Sequence, residues 1–430
     1  MAISESSQNA GPVSITSILK RLAYPVSADT QVNAEEIASV FALIFENRLG
    51  EVQMAGFLTL LHSTGKDKES DVIAKCAQRM RETTCQIERA PLERVIKLRG
   101  RPEGNYKGGL CDIVGTGGDS HSTFNISTTS SILASPLLMS AKHGNRASTS
   151  LSGAADILNV IEPISPKISA INTGNVAKVY EETNYAFLFA PNFYPGMAYA
   201  SSVRRDLGLR TIFNLMGPLA NPVEWALEAR VVGVAYQSLG SVFAEALRQS
   251  GARKALVVCG EEDLDEISCA GKTNCWRLSE DPSPSLDASS EGGSGDDGKQ
   301  IPQTSVKLET FQLHPSDFGL PVYPLTAVHG RKMPEDNAAM LMRILRNELP
   351  RDDPLLAFVL INVAALLVTS GICEANSSDM GSGDDGQVIT ERGPGGGRWK
   401  EGVRRARWAV ESGEALRNFQ KFIEVTNKLD

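Results

Sequence analysis

A glycine-rich turn at residues 115–119, with the sequence GTGGD, has the composition of a phosphate-binding loop. Glycines allow positive φ angles and let backbone N–H groups approach an anion closely. Ten residues further on, the sequence NIST at 125–128 predicts the start of a helix. Free N–H groups, the helix dipole and hydroxyl donors favour a second anionic group there. The two positions together would suit a substrate that carries more than one phosphate.

The common nucleotide-binding motifs do not describe this turn. A Walker loop ends in GK[ST], whereas this turn continues as GGDS, and a dinucleotide fingerprint needs a final glycine where Ser120 stands. The alternative is an ordinary glycine turn followed by a helix that Ser127 caps. The turn alone does not decide between these interpretations.

A basic segment follows at residues 142–146, with the sequence KHGNR, after an apolar stretch that is typical of a buried strand. Lysine and arginine supply charge for phosphates, asparagine supplies an amide, and glycine permits close approach. A solvated loop is the alternative, although five residues of binding type stand together. His143 could act as an acid or base, but a packed, hydrogen-bonded ring is the favoured interpretation.

An acidic segment at residues 261–266, with the sequence EEDLDE, follows the predicted strand 255–259. Carboxylates at a strand end are hard oxygen ligands that suit Mg²⁺ carried by a phosphate substrate. A solvated acidic loop is the favoured interpretation for Glu261 and Glu262. The better metal-ligand candidates are the next two acidic residues, Asp265 and Glu266.

These segments need a framework, and the apolar pattern predicts one in two parts. Apolar residues recur at helical spacing from Ile15 to about Arg89, which predicts a small all-helical domain. We predict a flexible lead at 1–13, the helical domain at 14–107 and an α/β domain with a central, mostly parallel sheet at 108–430. Within the α/β domain, the predicted strands are 110–114, 229–236 and 255–259. The predicted helices are 125–139, 239–249 and 164–205. The helical segment 164–205 could join the N-terminal helices in space.

Two segments interrupt this pattern, at 279–305 and 376–398. Both are rich in Ser, Gly, Asp and Pro, and both contain the string GSGDDG. Such composition buries too little apolar area to offset the entropy of ordering, so we predict solvated insertions. A regulatory or partner-binding loop is the alternative, and no motif supports it.

Composition excludes several classes of protein. The 43 basic residues against 51 acidic ones give a net charge of -8, which disfavours broad nucleic-acid binding. Seven cysteines without CxxC spacing argue against a disulfide framework or zinc site. They predict reduced thiols in a cytoplasmic protein that mostly fill the core, although Cys269 and Cys275 could be partly exposed. The first residues lack a basic start and an apolar stretch, so no secretory signal is predicted. The apolar run 355–368 is too short to span a bilayer and predicts a buried helix.

Taken together, these residues resemble the anthranilate phosphoribosyltransferase family. The resemblance runs from about Ser14 to the C-terminus, interrupted by the two insertions, and it implies a nucleoside phosphorylase-like fold. The matching strings are DIVGTGGD (112–119), FNIST (124–128), AKHGNR (141–146), SGAAD (152–156), VRRDLGLRTIFNLMGPLANP (203–222) and DEIS (265–268).

The resemblance implies a reaction of tryptophan biosynthesis. The amine of anthranilate attacks carbon 1 of the ribose in phosphoribosyl pyrophosphate (PRPP), pyrophosphate leaves, and phosphoribosyl-anthranilate forms. Since Mg²⁺ makes pyrophosphate a good leaving group, the protein mainly positions the reactants and stabilises charge. The resemblance assigns no covalent or acid–base residue, and it also implies a homodimer formed through the helical domain.

The resemblance also assigns residues to each ligand. Anthranilate would contact Gly115, Asn145 and Arg204, and Mg²⁺ would be held by Ser127, Asp265 and Glu266. From the residue alone, Arg204 would be a surface charge beside Arg205, and the resemblance reverses that interpretation. The PRPP residues would be Gly115, Gly118, Asp119, Thr123, Asn125, Ile126, Ser127, Thr128, Lys142, His143, Gly144, Asn145, Arg146 and Ser150.

Three positions depart from the family pattern. Tyr194 stands where the family usually has His, Leu151 where Lys is common, and Ala154 where Ser is common. Each departure loses a possible polar contact near the substrates. Two other functions remain as alternatives: a pyrimidine nucleoside phosphorylase, which the strings GPLANP and KHGNR disfavour, and a non-catalytic, nucleic-acid-binding relative, which Asp265, Glu266 and the net charge disfavour.

Overall fold

The computed structural model describes residues 11–25, 31–84, 86–147, 152–280, 305–330 and 333–429. Within these ranges no helix is long and apolar enough to cross a membrane. Most of the predicted lead, most of the first insertion, and the candidate residues Ser150 and Leu151 lie outside the described residues.

The first hundred residues form helices, as the apolar spacing predicts. A capping box starts the second of them: the Asn33 side chain accepts from the Glu36 N–H, and the Glu36 carboxylate accepts from the Asn33 N–H. The apolar face of this helix, with Ile37, Phe41 and Ile44, is fully buried. The helices are α1 (Thr16–Ala23), α2 (Ala34–Phe45), α3 (Glu51–Ser63), α4 (Ser70–Thr84) and α5 (Arg89–Arg99).

A seven-stranded, mostly parallel sheet forms the centre of the rest of the chain, and confirms the predicted fold class. The order is β3-β2-β1-β4-β5-β6-β7; the first five strands run parallel, and the last two are antiparallel. Parallel strands covered on both faces are apolar throughout, as in the fully buried strand β5. The strands are β1 (Leu110–Gly115), β2 (Met139–Gly144), β3 (Tyr185–Phe189), β4 (Leu227–Gly233), β5 (Ala255–Gly260), β6 (Thr273–Glu280) and β7 (Val306–Leu313).

Helices cover both faces of the sheet. The most buried is the helix predicted from the apolar run 355–368, which is apolar all round and packs against the sheet and two other helices. The helices after β1 are α6 (Ile126–Ala134), α7 (Ala154–Leu158), α8 (Val176–Glu182), α9 (Ala190–Phe193), α10 (Ser201–Leu207), α11 (Ile212–Met216), α12 (Gly240–Gln249), α13 (Pro334–Leu345), α14 (Pro354–Ser370), α15 (Trp399–Glu411) and α16 (Glu414–Asn427).

Segment 195–216 connects the two parts of the molecule. The Ser202 hydroxyl lies 3.1 Å from the Glu51 carboxylate of α3. The ring centroids of Phe213 in α11 and Phe41 in α2 are 4.9 Å apart. Contacts between α10 and α3, and between α11 and α4, extend this packing. The first helices therefore have a continuous apolar boundary with residues far along the chain.

Two predictions of secondary structure were wrong. Segment 164–205 is not helical throughout, because its apolar run at Tyr185–Phe189 is the edge strand β3. A run of five apolar residues has no period that separates a buried strand from a helix. The helix predicted over 125–139 ends at Ala134, and Met139 already begins β2. Lys142, His143 and Gly144 therefore lie in strand β2. Of the basic segment 142–146, only Asn145 and Arg146 lie in a loop.

The described cysteines fill the core, as predicted, and Cys269 and Cys275 are buried rather than partly exposed. Burial raises the pKa of both thiols, to about 12 for Cys269. All cysteines among the described residues are free thiols.

The second insertion is not simply solvated. The Asp384 side chain is only 3% exposed and pairs with Arg404 of α15 at 2.9 Å. The Trp408 indole N–H donates to the Ser382 carbonyl at 3.0 Å, and the Ile389 N–H donates to the Glu401 carboxylate at 2.9 Å. Polar contacts with α15, rather than apolar burial, hold this glycine-rich loop.

Candidate active site

The candidate residues gather at the carboxyl edge of the sheet. Strand β1 lies between β2 and β4, so the strand order reverses at β1. Crossover connections leave in opposite directions at such a point, which opens a crevice where α/β proteins bind ligands. The glycine turn follows β1, and the acidic segment follows β5.

The glycine turn is held against the acidic segment by its backbone. Gly117 and Gly118 have φ angles of 64° and 82°, which side chains disfavour. The Gly117 N–H donates to the Asp265 carboxylate at 2.7 Å, and the Thr116 N–H donates to the Gly233 carbonyl at 2.9 Å. The turn therefore adopts the conformation that the sequence predicts, and it contacts a residue 148 positions away in the chain.

Arg210 lies at the site, although neither the local sequence pattern nor the resemblance assigns it a role. Its guanidinium donates to the Gly117 carbonyl at 2.9 Å. A Cβ on Gly118 would lie 1.1 Å from the Arg210 guanidinium, so only glycine leaves room for this contact. Arg210 stands in the string 203–222 that carries the family resemblance, which is the one signal that could have identified it.

The helix start after the turn is capped by Asn125, whose side chain accepts from the Thr128 N–H at 3.2 Å. The cap is therefore not Ser127, which is half-buried at the first turn of α6. Ile126 and Thr128 are buried, and the Thr128 hydroxyl has no hydrogen-bond partner among the described residues. The helix start thus places a half-buried Ser127 beside a buried Thr128 hydroxyl that has no partner among the described residues.

Three carboxylates lie close together beside the glycine turn. Burial and the neighbouring Asp265 raise the pKa of Asp119 to about 7. Burial also raises the pKa of Asp265. The pKa of Glu266 is raised by burial and by the negative charge of both aspartates, against a hydrogen bond with Thr123 that lowers it. The crevice therefore concentrates negative charge that the protein alone does not neutralise.

This cluster suits a cation that arrives with a substrate. Asp119 Oδ2 and Glu266 Oε2 are buried without a hydrogen-bond partner among the described residues. In the same ranges, no three His, Cys, Asp or Glu side chains converge closely enough to hold a metal ion by themselves. The residues therefore fit Mg²⁺ whose remaining ligands are phosphate oxygens or water, as is usual for this ion.

A buried amide on α14 positions the acidic segment. The Asn362 side chain of α14 accepts from the Ile267 N–H at 3.0 Å and lies 3.2 Å from the Ile267 carbonyl, to which it donates. Because Ile267 directly follows Glu266, these two bonds fix the direction in which the carboxylate leaves the backbone. Asn362 lies inside an apolar run, and no local pattern indicates this role.

Lys142 places a buried positive charge beneath the site. Its side chain is 2% exposed, and its ammonium group donates to the His143 carbonyl at 3.2 Å. Burial lowers the pKa of this lysine, and the nearby Asp112, Asp265 and Glu266 oppose that shift. A charge in this position attracts anions to the crevice by its electric field, although the side chain itself is buried.

His143 is the packed, hydrogen-bonded ring that the sequence analysis favoured. Its Nδ1 donates to the Gly217 carbonyl at 3.3 Å, and its ring meets the Tyr194 ring edge-on at a centroid distance of 5.9 Å. Burial and the charge of Lys142 lower the pKa of His143 to about 4. The neutral ring therefore persists at physiological pH.

We expect His143→Gln to weaken the acid sensitivity of folding. An unfolded His binds a proton near pH 6.5, and the folded one only near pH 4. Between these values the unfolded state binds more protons, so the folded state loses stability as the pH is lowered. Between pH 7.5 and pH 5 the variant should lose about 2 kcal/mol less free energy of unfolding than the wild type. Urea unfolding at both pH values measures this; the exposed His329→Gln is the control, and equal losses in all three proteins would contradict it.

Arg204 is not a simple surface charge. Its guanidinium lies over the Phe213 ring, 4.7 Å from the centroid, and burial lowers its pKa. Asn145 and Arg146 are exposed beyond β2, and the Arg146 guanidinium lies 5.8 Å from the centroid of the Phe189 ring.

The family departures within the described residues have definite surroundings. The Tyr194 hydroxyl donates to the Ala220 carbonyl at 2.7 Å, and the whole side chain is buried. Ala154 begins α7, with its methyl group facing Gly144. Tyr194 therefore supports the loop 217–221 rather than presenting a polar group to the crevice.

Comparison with known proteins agrees with this architecture. Residues 107–416 match the family described as glycosyl transferase family, a/b domain, and residues 16–84 match its helical bundle domain. The anthranilate phosphoribosyltransferase of Schizosaccharomyces pombe is 33% identical over 92% of this chain and 93% of its own length. That of Saccharomyces cerevisiae is 33% identical over 88% of this chain and 87% of its own length.

A solved structure extends the likeness to three dimensions. The S. cerevisiae anthranilate phosphoribosyltransferase, in complex with PRPP and Mg, has a TM-score of 0.75 at 27% identity and covers 97% of this chain and 99% of that chain. The fold, the two family matches and the identity over most of both relatives agree. The chain is therefore a phosphoribosyl-transferring glycosyltransferase and belongs to the anthranilate phosphoribosyltransferase family.

Proposed function

We propose that the crevice at the carboxyl edge of the sheet transfers the phosphoribosyl group of PRPP to the amine of anthranilate. The observation that carries this proposal is the meeting of a glycine turn, a helix start and three half-buried carboxylates in one crevice. The first two features bind phosphate groups, and the third fits a divalent cation. A diphosphate–metal substrate needs all three at once.

PRPP would lie along the turn and the start of α6. Backbone N–H groups of the turn and of the first residues of α6 would donate to phosphate oxygens, while Asn125 caps the Thr128 N–H. The buried charge of Lys142 and the exposed Arg146 would neutralise the phosphates from two sides. Gly115, Gly118, Thr123, Gly144, Asn145 and Ser150 keep their proposed roles as further PRPP contacts.

Mg²⁺ would be held by Ser127, Asp265 and Glu266 together with oxygens of PRPP. When bound, it would neutralise the pyrophosphate and so make it a better leaving group. The protein's part is to hold the two carboxylates in position for the cation. Asn362 fixes the backbone of Ile267, which directly follows Glu266, and the Gly117 N–H donates to Asp265.

Anthranilate would enter from the side where Arg204 and Asn145 stand. Arg204 is held over Phe213, so its guanidinium is oriented before the substrate arrives, and it would bind the carboxylate of anthranilate. Neutral His143, at the back of the crevice, would line this region without donating a charge. The amine could then approach carbon 1 of the ribose without a covalent intermediate.

The direct test mixes the full chain with anthranilate, PRPP and Mg²⁺ and follows the loss of anthranilate fluorescence. A parallel reaction supplies uridine or thymidine with inorganic phosphate. We expect loss of fluorescence in the first reaction and no base release in the second. No loss at any Mg²⁺ concentration would overturn the proposal, and base release alone would favour a pyrimidine nucleoside phosphorylase.

Arg204→Ala should raise the KM for anthranilate by about tenfold or more, since a charge-assisted contact with a carboxylate is lost. The KM for PRPP should change little. Arg205→Ala is the matched control, because that neighbour is exposed. A rise confined to the KM for PRPP would place Arg204 against the other substrate.

We also propose a two-domain organisation, with a helical domain at 14–107, joined by 164–205, and an α/β domain at 108–430. The matches of separate family models to 16–84 and 107–416 support this division. A homodimer through the helical domain remains part of the proposal; sedimentation of the full chain tests it.

A further inference from the structure

A large cavity lies at the edge of the sheet opposite the crevice. It has a volume of about 1040 Å³ and separates α4 from the amino ends of β4 and β5. Leu227 begins β4 on its wall, and Lys254 directly precedes β5. The end of α12, at Gln249 and Ser250, closes one side. We call this cavity the basic cleft, and none of the residues proposed for PRPP, anthranilate or Mg²⁺ lines it.

The basic cleft is positively charged in a chain whose net charge is -8. Basic side chains on its walls outnumber acidic ones by seven to four. The basic residues are Lys75, Arg81, Arg89, Lys107, Arg230, Arg253 and Lys254, and the acidic residues are Glu82, Glu224, Glu228 and Glu280.

Several of these charges neutralise each other. Arg230 pairs with Glu224 at 2.6 Å, and Lys254 pairs with Glu228 at 2.6 Å. Glu280 lies 3.3 Å from the ammonium group of Lys107 and 3.0 Å from the guanidinium of Arg253. Lys75 turns to Glu35, outside the cleft. Most of the acidic residues of the cleft are thus neutralised in ion pairs with its basic residues.

Arg81 and Arg89 remain without a carboxylate partner among the described residues. Arg81 donates to the Leu219 carbonyl. The Arg89 guanidinium lies over the Trp225 ring, 5.2 Å from its centroid. Neither contact neutralises a charge. Two oriented guanidinium groups on one wall are the arrangement that binds phosphate through paired N–H donors.

Buried polar atoms in the same cleft also lack partners. Arg230 Nη1 and Ser250 Oγ are buried donors with no hydrogen-bond partner in the described part of the chain, and Arg230 is only 3% exposed. Glu224 Oε2 is a buried acceptor in the same condition. Buried polar groups are rarely left unsatisfied in native proteins. Monohydrogen phosphate carries both acceptor oxygens and an O–H donor, which are the kinds of group that these atoms lack.

We propose that the basic cleft binds a small phosphate-bearing anion, at a site separate from the one proposed for PRPP. An apolar ligand does not fit, because charged groups line most of the wall. A nucleic-acid backbone does not fit either, because four carboxylates share the surface. The ligand is therefore a compact anion of the size of phosphate or a phosphomonoester.

The site has a physical connection with the crevice. Arg81 contacts the carbonyl of Leu219, while the neighbouring carbonyls of Gly217 and Ala220 accept from His143 and Tyr194. An anion that binds Arg81 thus acts on the loop whose other side supports the crevice. The cleft is consequently placed to influence the position of that loop.

Calorimetric titration of the full chain with inorganic phosphate tests the proposal. The enzyme is first saturated with PRPP and Mg²⁺, without anthranilate, so that the crevice is filled. We expect one phosphate-binding event, weakened at least tenfold in Arg81→Gln/Arg89→Gln. Arg94→Gln, an exposed change on the same helix as Arg89, should bind phosphate like the wild type.

A second variant protects the test against a folding defect. Gln249→Glu adds a carboxylate at the exposed rim and removes no buried contact. It should weaken phosphate binding at least threefold, with an unchanged thermal midpoint and unchanged KM for anthranilate. Phosphate affinities within twofold of the wild type in both cleft variants would overturn the proposal, as would the absence of binding to the wild type.

Discussion

Asp265→Asn combined with Glu266→Gln is expected to lower kcat/KM by about 10³-fold or more, since both charged ligands proposed for the metal are lost together. The same variant should unfold at a higher temperature than the wild type. Burial raises the pKa of both carboxyl groups, and the negative charge of the neighbouring aspartates raises that of Glu266 further, so the ionised forms destabilise the fold at neutral pH. The amides keep the shape and can still accept from the Gly117 N–H and from Thr123.

Steady-state kinetics over a range of Mg²⁺ concentrations and a thermal unfolding curve measure the two effects. Glu261→Gln is the matched control, because that carboxylate belongs to the same acidic segment but is exposed. It should leave both kinetics and stability within experimental error. A double variant whose Mg²⁺ response equals that of the wild type would remove Asp265 and Glu266 from the metal site.

Gly233→Ala is expected to abolish most activity by moving the acidic segment as a whole. A Cβ on Gly233 would lie 1.5 Å from the Asp265 backbone oxygen, and a backbone atom cannot rotate away as a side chain can. Gly233 is also the register partner of Gly115, and its carbonyl accepts from the Thr116 N–H. We expect kcat/KM to fall by about 10²-fold and stability to fall by about 1–3 kcal/mol.

The opposite signs of the two stability changes separate the two causes. Removing the charges should lower activity and raise stability, whereas displacing the backbone should lower both activity and stability. Gly271→Ala is the control for the glycine replacement, because a Cβ there meets no atom within 4 Å. Wild-type activity in Gly233→Ala would show that the acidic segment tolerates the displacement.

Local patterns predicted the parts of the site that lie next to each other in the chain. Strand β1, the glycine turn and the start of α6 follow from an apolar run, from glycines and from helix-forming residues within about twenty positions. The buried helix α14 follows from its unbroken apolar run. These features depend on short-range preferences, which the amino-acid sequence states directly.

Contacts between distant segments could not be predicted in this way. Nothing near Asp119 indicates that it lies beside Asp265, because the sheet brings β1 and β5 to the same edge only after folding. The role of Asn362 is hidden in an apolar run, and Gly233 resembles any glycine at the end of a strand. Strand β3 was missed because its five apolar residues have no decisive period. Tertiary packing decides each of these cases.

The polar anchoring of the second insertion has a consequence for shortening the chain. Asp384 is buried against Arg404, while Trp408 and Glu401 each satisfy a polar atom with the backbone of the loop. If the loop were deleted, the arginine, indole and carboxylate of α15 would each lose one hydrogen-bond partner, which costs free energy. Arg404 and Glu401 would still pair with each other. A shortened chain would therefore need compensating changes in α15, so the loop and this helix form one unit for protein engineering.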